Sequence, residues 1–312
     1  MSKVATRVAY GEALAALVAD DERIFVLDAD LSGSTHTNRA QKVKPERHFN
    51  SGIAEANMMG MAAGIASGGN IVFASTFAMF AAGRAFEQVR NSIAYTNLNV
   101  KICATHAGIT LGEDGASHQA IEDIALMRAV PNMHVIQPAD DVETKAVIKA
   151  IVDLEGPFYV RLGRSAVGRV NSDGYVFELG KGHVISQGKD IAIIATGVMV
   201  EQAMLAKEAL LKEGIDVTVV NMASIKPIDK DLIIELSKTH KALISAEEHN
   251  VIGGLGSAVA EVLSQNNPTR LKIVGVEDTF GESGKPDELL DKYGLSYDHL
   301  VDHVKALLKE LD

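Results

Sequence analysis

Short runs of β-branched and other apolar residues alternate along the chain with longer stretches whose apolar positions recur at helical spacing. The runs Ile24 to Ala29, Ile71 to Ser75, Val100 to Thr105, His134 to Gln137 and Phe158 to Leu162 predict strands, with a weaker one over His48 to Asn50. Helical period covers Val8 to Ala19, Ile53 to Ala66, Phe77 to Tyr95, Ile121 to Ala129 and Asp140 to Val152. This alternation of strand and helix is the pattern of βα units building a mainly parallel sheet, so the expected fold class is α/β. From Arg164 to Lys189 the period fades, and Gly168, Gly174, Gly180, Gly182 and Gly188 punctuate a polar stretch that reads as a linker. A second series then begins, with strands over Ile191 to Thr196, Val217 to Asn221, Ala242 to Ala246 and Ile273 to Val276. Its helices are expected near Met199 to Lys212, Lys230 to Thr239, Gly256 to Ser264 and Tyr297 to Leu311. The chain therefore divides into one α/β domain over residues 1–170, a linker over 171–188 and a second α/β domain over 189–312.

A length of 312 residues, 47% hydrophobic and 23% charged, suits two packed domains of a globular protein. Lys plus Arg total 30 against 41 Asp plus Glu, a net charge of -11. No global field exists to attract nucleic acid or an anionic membrane surface, and neither is expected as a partner. An anionic substrate must instead be held by a few converging cations. The single Cys103 lies in the apolar run Val100 to Ala104 and cannot form an internal disulfide, which fits a reducing compartment. Met1 to Tyr10 lacks the apolar core of a signal peptide, and no stretch approaches the ~18 apolar residues of a membrane span. A cytoplasmic, soluble protein is the expectation.

Ligands of open parallel sheets bind outside the carboxyl ends of the strands, so the residues there carry the candidate chemistry. Asp28-Ala-Asp30-Leu-Ser-Gly-Ser34 follows the first strand, and Thr76-Phe77-Ala-Met-Phe80 follows the strand from Ile71. After Thr105 comes His106, then Gly112-Glu-Asp114-Gly-Ala-Ser-His118-Gln119, while Arg161 and Arg164 follow the fifth strand. Hydroxyls, two histidines, an aspartate and arginines on one edge form the set that a polyhydroxylated, phosphorylated ligand requires. Each piece also has a plainer reading. Asp-Gly is a common turn pair, but a loop of about a dozen residues exceeds the ~2 to 6 of an ordinary βα connection. Phe77 and Phe80 at i and i+3 read either as a helix face in the core or as a platform for a flat heteroaromatic ring. Glu55, in Gly52-Ile-Ala-Glu-Ala-Asn57, reads either as a helix-terminal capping group or as a carboxyl in dry surroundings able to share a proton. Gly253-Gly-Leu-Gly256 imitates a dinucleotide fingerprint, but no acidic residue follows at the ribose-binding distance, so close helix packing is expected there. No Walker loop, zinc spacing or nucleophile elbow is present.

Taken together, Thr105-His106, Gly112-Glu-Asp-Gly-Ala-Ser-His-Gln119, Arg128, Pro131-Asn-Met133, Pro138, Gly52-Ile-Ala-Glu55, Ser75-Thr-Phe-Ala-Met-Phe80 and Thr279-Phe-Gly-Glu-Ser283 resemble the pyrimidine-binding and C-terminal domains of transketolase over essentially the whole chain. The resemblance implies thiamine diphosphate as cofactor, with Glu55 bonded to N1′ of the aminopyrimidine and Phe77 and Phe80 holding that ring. It implies transfer of a two-carbon ketol unit from a ketose phosphate to an aldose phosphate. His118 would bond the donor's first hydroxyl and carbonyl region, and Asp114 a neighbouring hydroxyl. Arg7, Ser34, His106 and Arg164 match the family's phosphate-binding positions. Gly83 stands where many transketolases carry a further aromatic residue. The family's N-terminal domain, with the Gly-Asp-Gly and Asn motif for magnesium and diphosphate, does not occur in this sequence. Met1 leading directly to Arg7 reads as a natural split gene product. The resemblance therefore implies an N-terminal partner subunit that binds most of the Mg2+ and the diphosphate, in an α2β2 assembly, with no metal ligands in this chain. Rival readings are the β-subunit of a 2-oxoacid dehydrogenase E1, a relative of deoxyxylulose-phosphate synthase, and a non-catalytic subunit that kept the fold.

Overall fold

In the computed structural model, which describes residues 3–311, the strands in chain order are β1 (Val4–Ala5), β2 (Ile24–Asp28), β3 (His48–Asn50), β4 (Ile71–Phe77), β5 (Val100–Thr105), β6 (His134–Ile136), β7 (Phe158–Arg161), β8 (Ala166–Val167), β9 (His183–Ser186), β10 (Ile191–Ala195), β11 (Thr218–Asn221), β12 (Ser224–Lys226), β13 (Ala242–Asn250) and β14 (Leu271–Val276). Among the described residues they form a seven-stranded sheet in the order β12-β6-β7-β5-β4-β2-β3, a five-stranded sheet β14-β13-β10-β11-β9 and the short ribbon β1-β8. All neighbours in the large sheet are parallel except β12, and all in the smaller one except β9.

The central strands β4 and β5 are buried at every position, so their sequences are mostly apolar and do not alternate; Lys101 is buried among them and donates to the Leu154 and Gly156 carbonyls. The helix Glu55–Ser67, with Met58, Met59 and Ala62, covers one face of the sheet. The helices Thr6–Asp20 and Asp141–Ile151 cover the other, with Tyr10, Leu14, Val147 and Ile148. Helices on both faces of a parallel sheet leave the carboxyl ends of β2, β4, β5 and β7 as the one edge where loops converge.

Three features differ from the sequence reading. The stretch read as a linker contains β9, which joins the smaller sheet antiparallel to β11, and it also contains Phe177, buried in the core of the first domain. The strand β12 leaves the second series of units to pair with β6, so the two domains share the large sheet. The stretch read as one helix over Phe77 to Tyr95 begins as strand, since β4 runs through Phe77. It continues as π-helical turns over Phe80–Arg84 and Val89–Ala94, around a short α-helical piece at Phe86–Gln88.

The domain seam is polar and tightly bonded. Arg161 is fully buried; its Nε donates to Asp123 Oδ2 at 2.8 Å, and its Nη2 donates to the carbonyls of Ala120 and Glu248. Arg161 is thus spent inside the seam and does not belong with the cations grouped at the strand ends. Asp140 caps the helix Asp141–Ile151 by accepting from the Glu143 N–H, and Glu143 reaches back past the cap to accept the Ala139 N–H at 2.7 Å. Both Glu143 oxygens also accept from Asn221 of the smaller sheet. The glycine run after β13 packs closely. A Cβ on Gly256 would lie 2.5 Å from Ile273, and Glu247 accepts the N–H groups of Leu255 and Gly256 at that helix start.

Candidate functional site

Glu55 opens the helix Glu55–Ser67 just after Gly52, whose φ of +71° makes the turn that aims the helix start at the strand ends. Its carboxylate is 1% exposed and lies 2.8 Å from Nη1 of Arg84. Phe77 ends β4 and Phe80 opens the following π-helical turn. Their rings stack at 5.7 Å between centroids and 12° between planes. His106, just past β5 with φ +60°, lies face to face with Phe77 at 3.9 Å, and His118 meets Phe80 edge-on at 5.3 Å. The guanidinium that meets Glu55 also lies over the Phe80 ring, so the buried carboxylate and the stacked aromatic pair share one neighbourhood, which suits a flat heteroaromatic with a ring N–H.

Next to this seat lie the cations. Arg7 donates from Nη1 to the Ser34 carbonyl at 2.7 Å and from Nε to the Arg164 carbonyl at 3.4 Å. Arg164 donates from Nη1 to the Leu111 carbonyl and, at 2.7 Å, to Glu113 Oε2. Burial, then the charge of Arg164, lowers the Arg7 pKa. Burial above all, with smaller pushes from Arg7, Arg164, His36 and His118, drives His106 down to about 3. His106 is therefore a neutral imidazole at ordinary pH, and its Nδ1 lies 2.9 Å from Thr105 Oγ1. Positive charge in the cluster comes from the two arginines, and Glu113 is the carboxylate paired with one of them.

Asp114 is exposed on the loop after β5, whose turns use Gly112 at φ +91° and Gly115 at φ +76°. The loop rests on the second domain. Gln119 Nε2 donates to the Ile109 and Glu282 carbonyls, and a Cβ on Gly115 would lie 2.5 Å from Ser283 Oγ. The loop motif and Thr279-Phe-Gly-Glu-Ser283, distant in sequence, are thus in contact.

The structure places Glu55, Phe77, Phe80, His106, His118, Arg7 and Arg164 along one edge, with Ser34 joined to them through its carbonyl and Asp114 on the adjoining loop. Arg84 and His36 were missed. Arg84 lies four residues after Phe80, and its guanidinium carbon is 4.5 Å from the Phe80 ring centroid. His36, at φ +63°, comes so close to the helix Thr6–Asp20 that a Cβ on Gly11 would lie 2.5 Å from its own Cβ. Its Nε2 is enclosed without a hydrogen-bond partner. The signal available for His36 was its place two residues after Ser34. Among the described residues no group of three or more His, Cys, Asp or Glu side chains could hold a metal ion, and no helix is long and apolar enough to cross a membrane.

Residues 2–169 match the pyrimidine binding domain of transketolase, and residues 180–300 match the transketolase C-terminal domain. The chain belongs to the transketolase family. A transketolase C-terminal section from Methanocaldococcus jannaschii is 51% identical over 307 residues, covering 97% of this chain and 96% of that one. A 6-deoxy-6-sulfo-D-fructose transketolase subunit from a Clostridium species is 41% identical over 295 residues, covering 95% and 92%. Among solved structures, a split gene transketolase described as an inactive beta4 tetramer superposes with a TM-score of 0.91 at 53% identity and 99% coverage of both chains. For a transketolase domain pair, the shared strand β12 and the buried seam fix the pyrimidine-domain loops against the C-terminal domain.

Proposed function

We propose that this chain is the C-terminal subunit of a split transketolase, moving a two-carbon ketol unit from a ketose phosphate to an aldose phosphate through thiamine diphosphate. It acts only with an N-terminal partner subunit in an α2β2 assembly, and the partner holds most of the Mg2+ and the diphosphate. Residues 1–170 carry the site, and residues 189–312 serve assembly. The observation that carries this reading is one line of contacts: Arg84 joins the buried Glu55 carboxylate to the stacked rings of Phe80 and Phe77, His106 stacks on Phe77, and the charges of Arg7 and Arg164 reach His106. Relatives that are themselves a C-terminal section, a subunit and a split gene product support the division into two chains.

When bound, thiamine diphosphate supplies the electron sink for breaking the ketose carbon–carbon bond. Glu55 holds a proton at the N1′ position of the aminopyrimidine from a site where water cannot compete, since it is 1% exposed. Phe77 and Phe80 fix the plane of the ring. Arg7 and Arg164, with neutral His106 and Ser34, bind the sugar's phosphate, and their carbonyl partners hold the guanidinium groups in place beforehand. His118 and Asp114 bond the donor's hydroxyls.

Glu55→Gln keeps the shape and removes the exchangeable proton, so proton exchange at the cofactor's C2 atom, followed by NMR in the complex with the partner, should slow ~10²- to 10⁴-fold. An unchanged exchange rate would return Glu55 to a helix-capping role.

A further inference from the structure

Glu55 is buried, yet its partner is not. The Arg84 side chain is 50% exposed while its Nη1 reaches in to donate to Glu55 Oε2 at 2.8 Å. The same guanidinium rests on Phe80, with its carbon 4.5 Å from the ring centroid. Among the described residues Glu55 is the carboxylate Arg84 pairs with. These are the two contacts expected of the aminopyrimidine on this seat: a flat face against an aromatic ring, and an N–H donated to the carboxylate. A guanidinium is planar, delocalised and a fork of N–H donors, so it can make both at once.

We infer that Arg84 is an internal stand-in for the aminopyrimidine, seated on Glu55 and Phe80 in the free chain and displaced to solvent when the cofactor binds; this rests on the seat assigned above. The physical need is plain. A carboxylate enclosed to this degree is costly without a cation or a proton, and in the chain by itself Arg84 supplies the cation. Its position at the end of the π-helical turn Phe80–Arg84, half in solvent, gives the side chain an exit that leaves the backbone in place. The consequence is a conformational tax on binding. Apparent affinity for the ring is lowered by the fraction of chains in which Arg84 occupies the seat.

The test uses the purified chain with thiamine, which carries the aminopyrimidine without the diphosphate, and reads its dissociation constant by ligand-detected NMR titration. Arg84→Met empties the seat and leaves Glu55 without its cation, so thiamine should bind about tenfold tighter than to the unaltered chain. Arg84→Lys keeps an ammonium for Glu55 but loses the planar face, and should fall between the two; it also serves if the methionine variant does not fold. Unchanged or weaker thiamine binding by the folded variants overturns the proposal. Phe80→Ala separates this from the underlying seat. If it weakens thiamine binding while the Arg84 variants do not strengthen it, the stand-in role alone is wrong. If Phe80→Ala leaves binding unchanged, the seat itself is misplaced and the inference falls with it.

Discussion

Replacing Arg164 by alanine removes a guanidinium that donates to the Leu111 carbonyl and to Glu113 Oε2 at 2.7 Å. The Glu113 side chain is 64% exposed, and a surface ion pair of that kind contributes only ~0 to 1 kcal/mol, so a phosphate dianion can take its place. The bond from Arg164 to the dianion contributes ~1.5 to 3 kcal/mol, and at ~1.4 kcal/mol per tenfold this is a rise in KM of ~10- to 100-fold. His106→Ala should cost less. Burial and the neighbouring arginines hold that imidazole neutral, so it brings no charge of its own and its bond to the dianion falls at the lower end of the ~1.5 to 3 kcal/mol of a hydrogen bond to a charged group, or ~10-fold in KM. The assay is steady-state ketol transfer in the complex with the partner, run with a sugar phosphate donor and with unphosphorylated hydroxypyruvate. The losses should fall on the phosphorylated donor, with kcat little changed. Equal losses for both donors would mean that Arg164 shapes the site generally, and the phosphate assignment would have to be withdrawn.

Asp123→Asn should leave the buried Arg161 guanidinium without its counter-charge and destabilise the chain by ~3 to 5 kcal/mol, read as a lower midpoint in denaturant. Near-normal stability would mean that the carbonyls of Ala120 and Glu248 suffice to hold Arg161. The depressed His106 pKa carries a pH signature. In the folded chain the ring stays neutral down to about 3, whereas the unfolded chain takes up a proton near 6.5, so this contribution is complete above pH 6.5 and lost as pH falls from there toward 3. His106→Gln should therefore flatten the acid side of the stability profile by roughly 1 to 2 kcal/mol at pH 5, and an unaltered profile would mean that the ring is solvated.

The long parallel strands were legible because burial on both faces writes a mostly apolar run without alternation, as in Ile71 to Ala74 and Ile102 to Ala104. The antiparallel additions were not. β1, β8, β9 and β12 are two to four residues long, and a strand such as His183–Ser186, only partly covered, carries no apolar period to read. The π-helical turns after Phe80 were read as ordinary helix because the periodicity used to find helices does not register a local change in hydrogen-bond spacing. At the site, the residues of the loop and strand-end motifs could be found, since strand ends are where a parallel sheet gathers ligands. Arg161 was misgrouped with them. It lies only three positions before Arg164, and nothing local says that its partner is Asp123 in the seam. Arg84 escaped because its role depends on a contact with Glu55, 29 residues away, that only the fold creates.

In the proposed function the strand-end cluster of this chain is one half of a transketolase site, and a second chain supplies the other. The most direct measurement is two-carbon transfer from a ketose phosphate to an aldose phosphate by the purified chain with thiamine diphosphate and Mg2+, before and after addition of an N-terminal transketolase subunit. The expected result is no turnover by the chain alone and restoration of turnover by the partner. Robust transfer by the chain in isolation would contradict it.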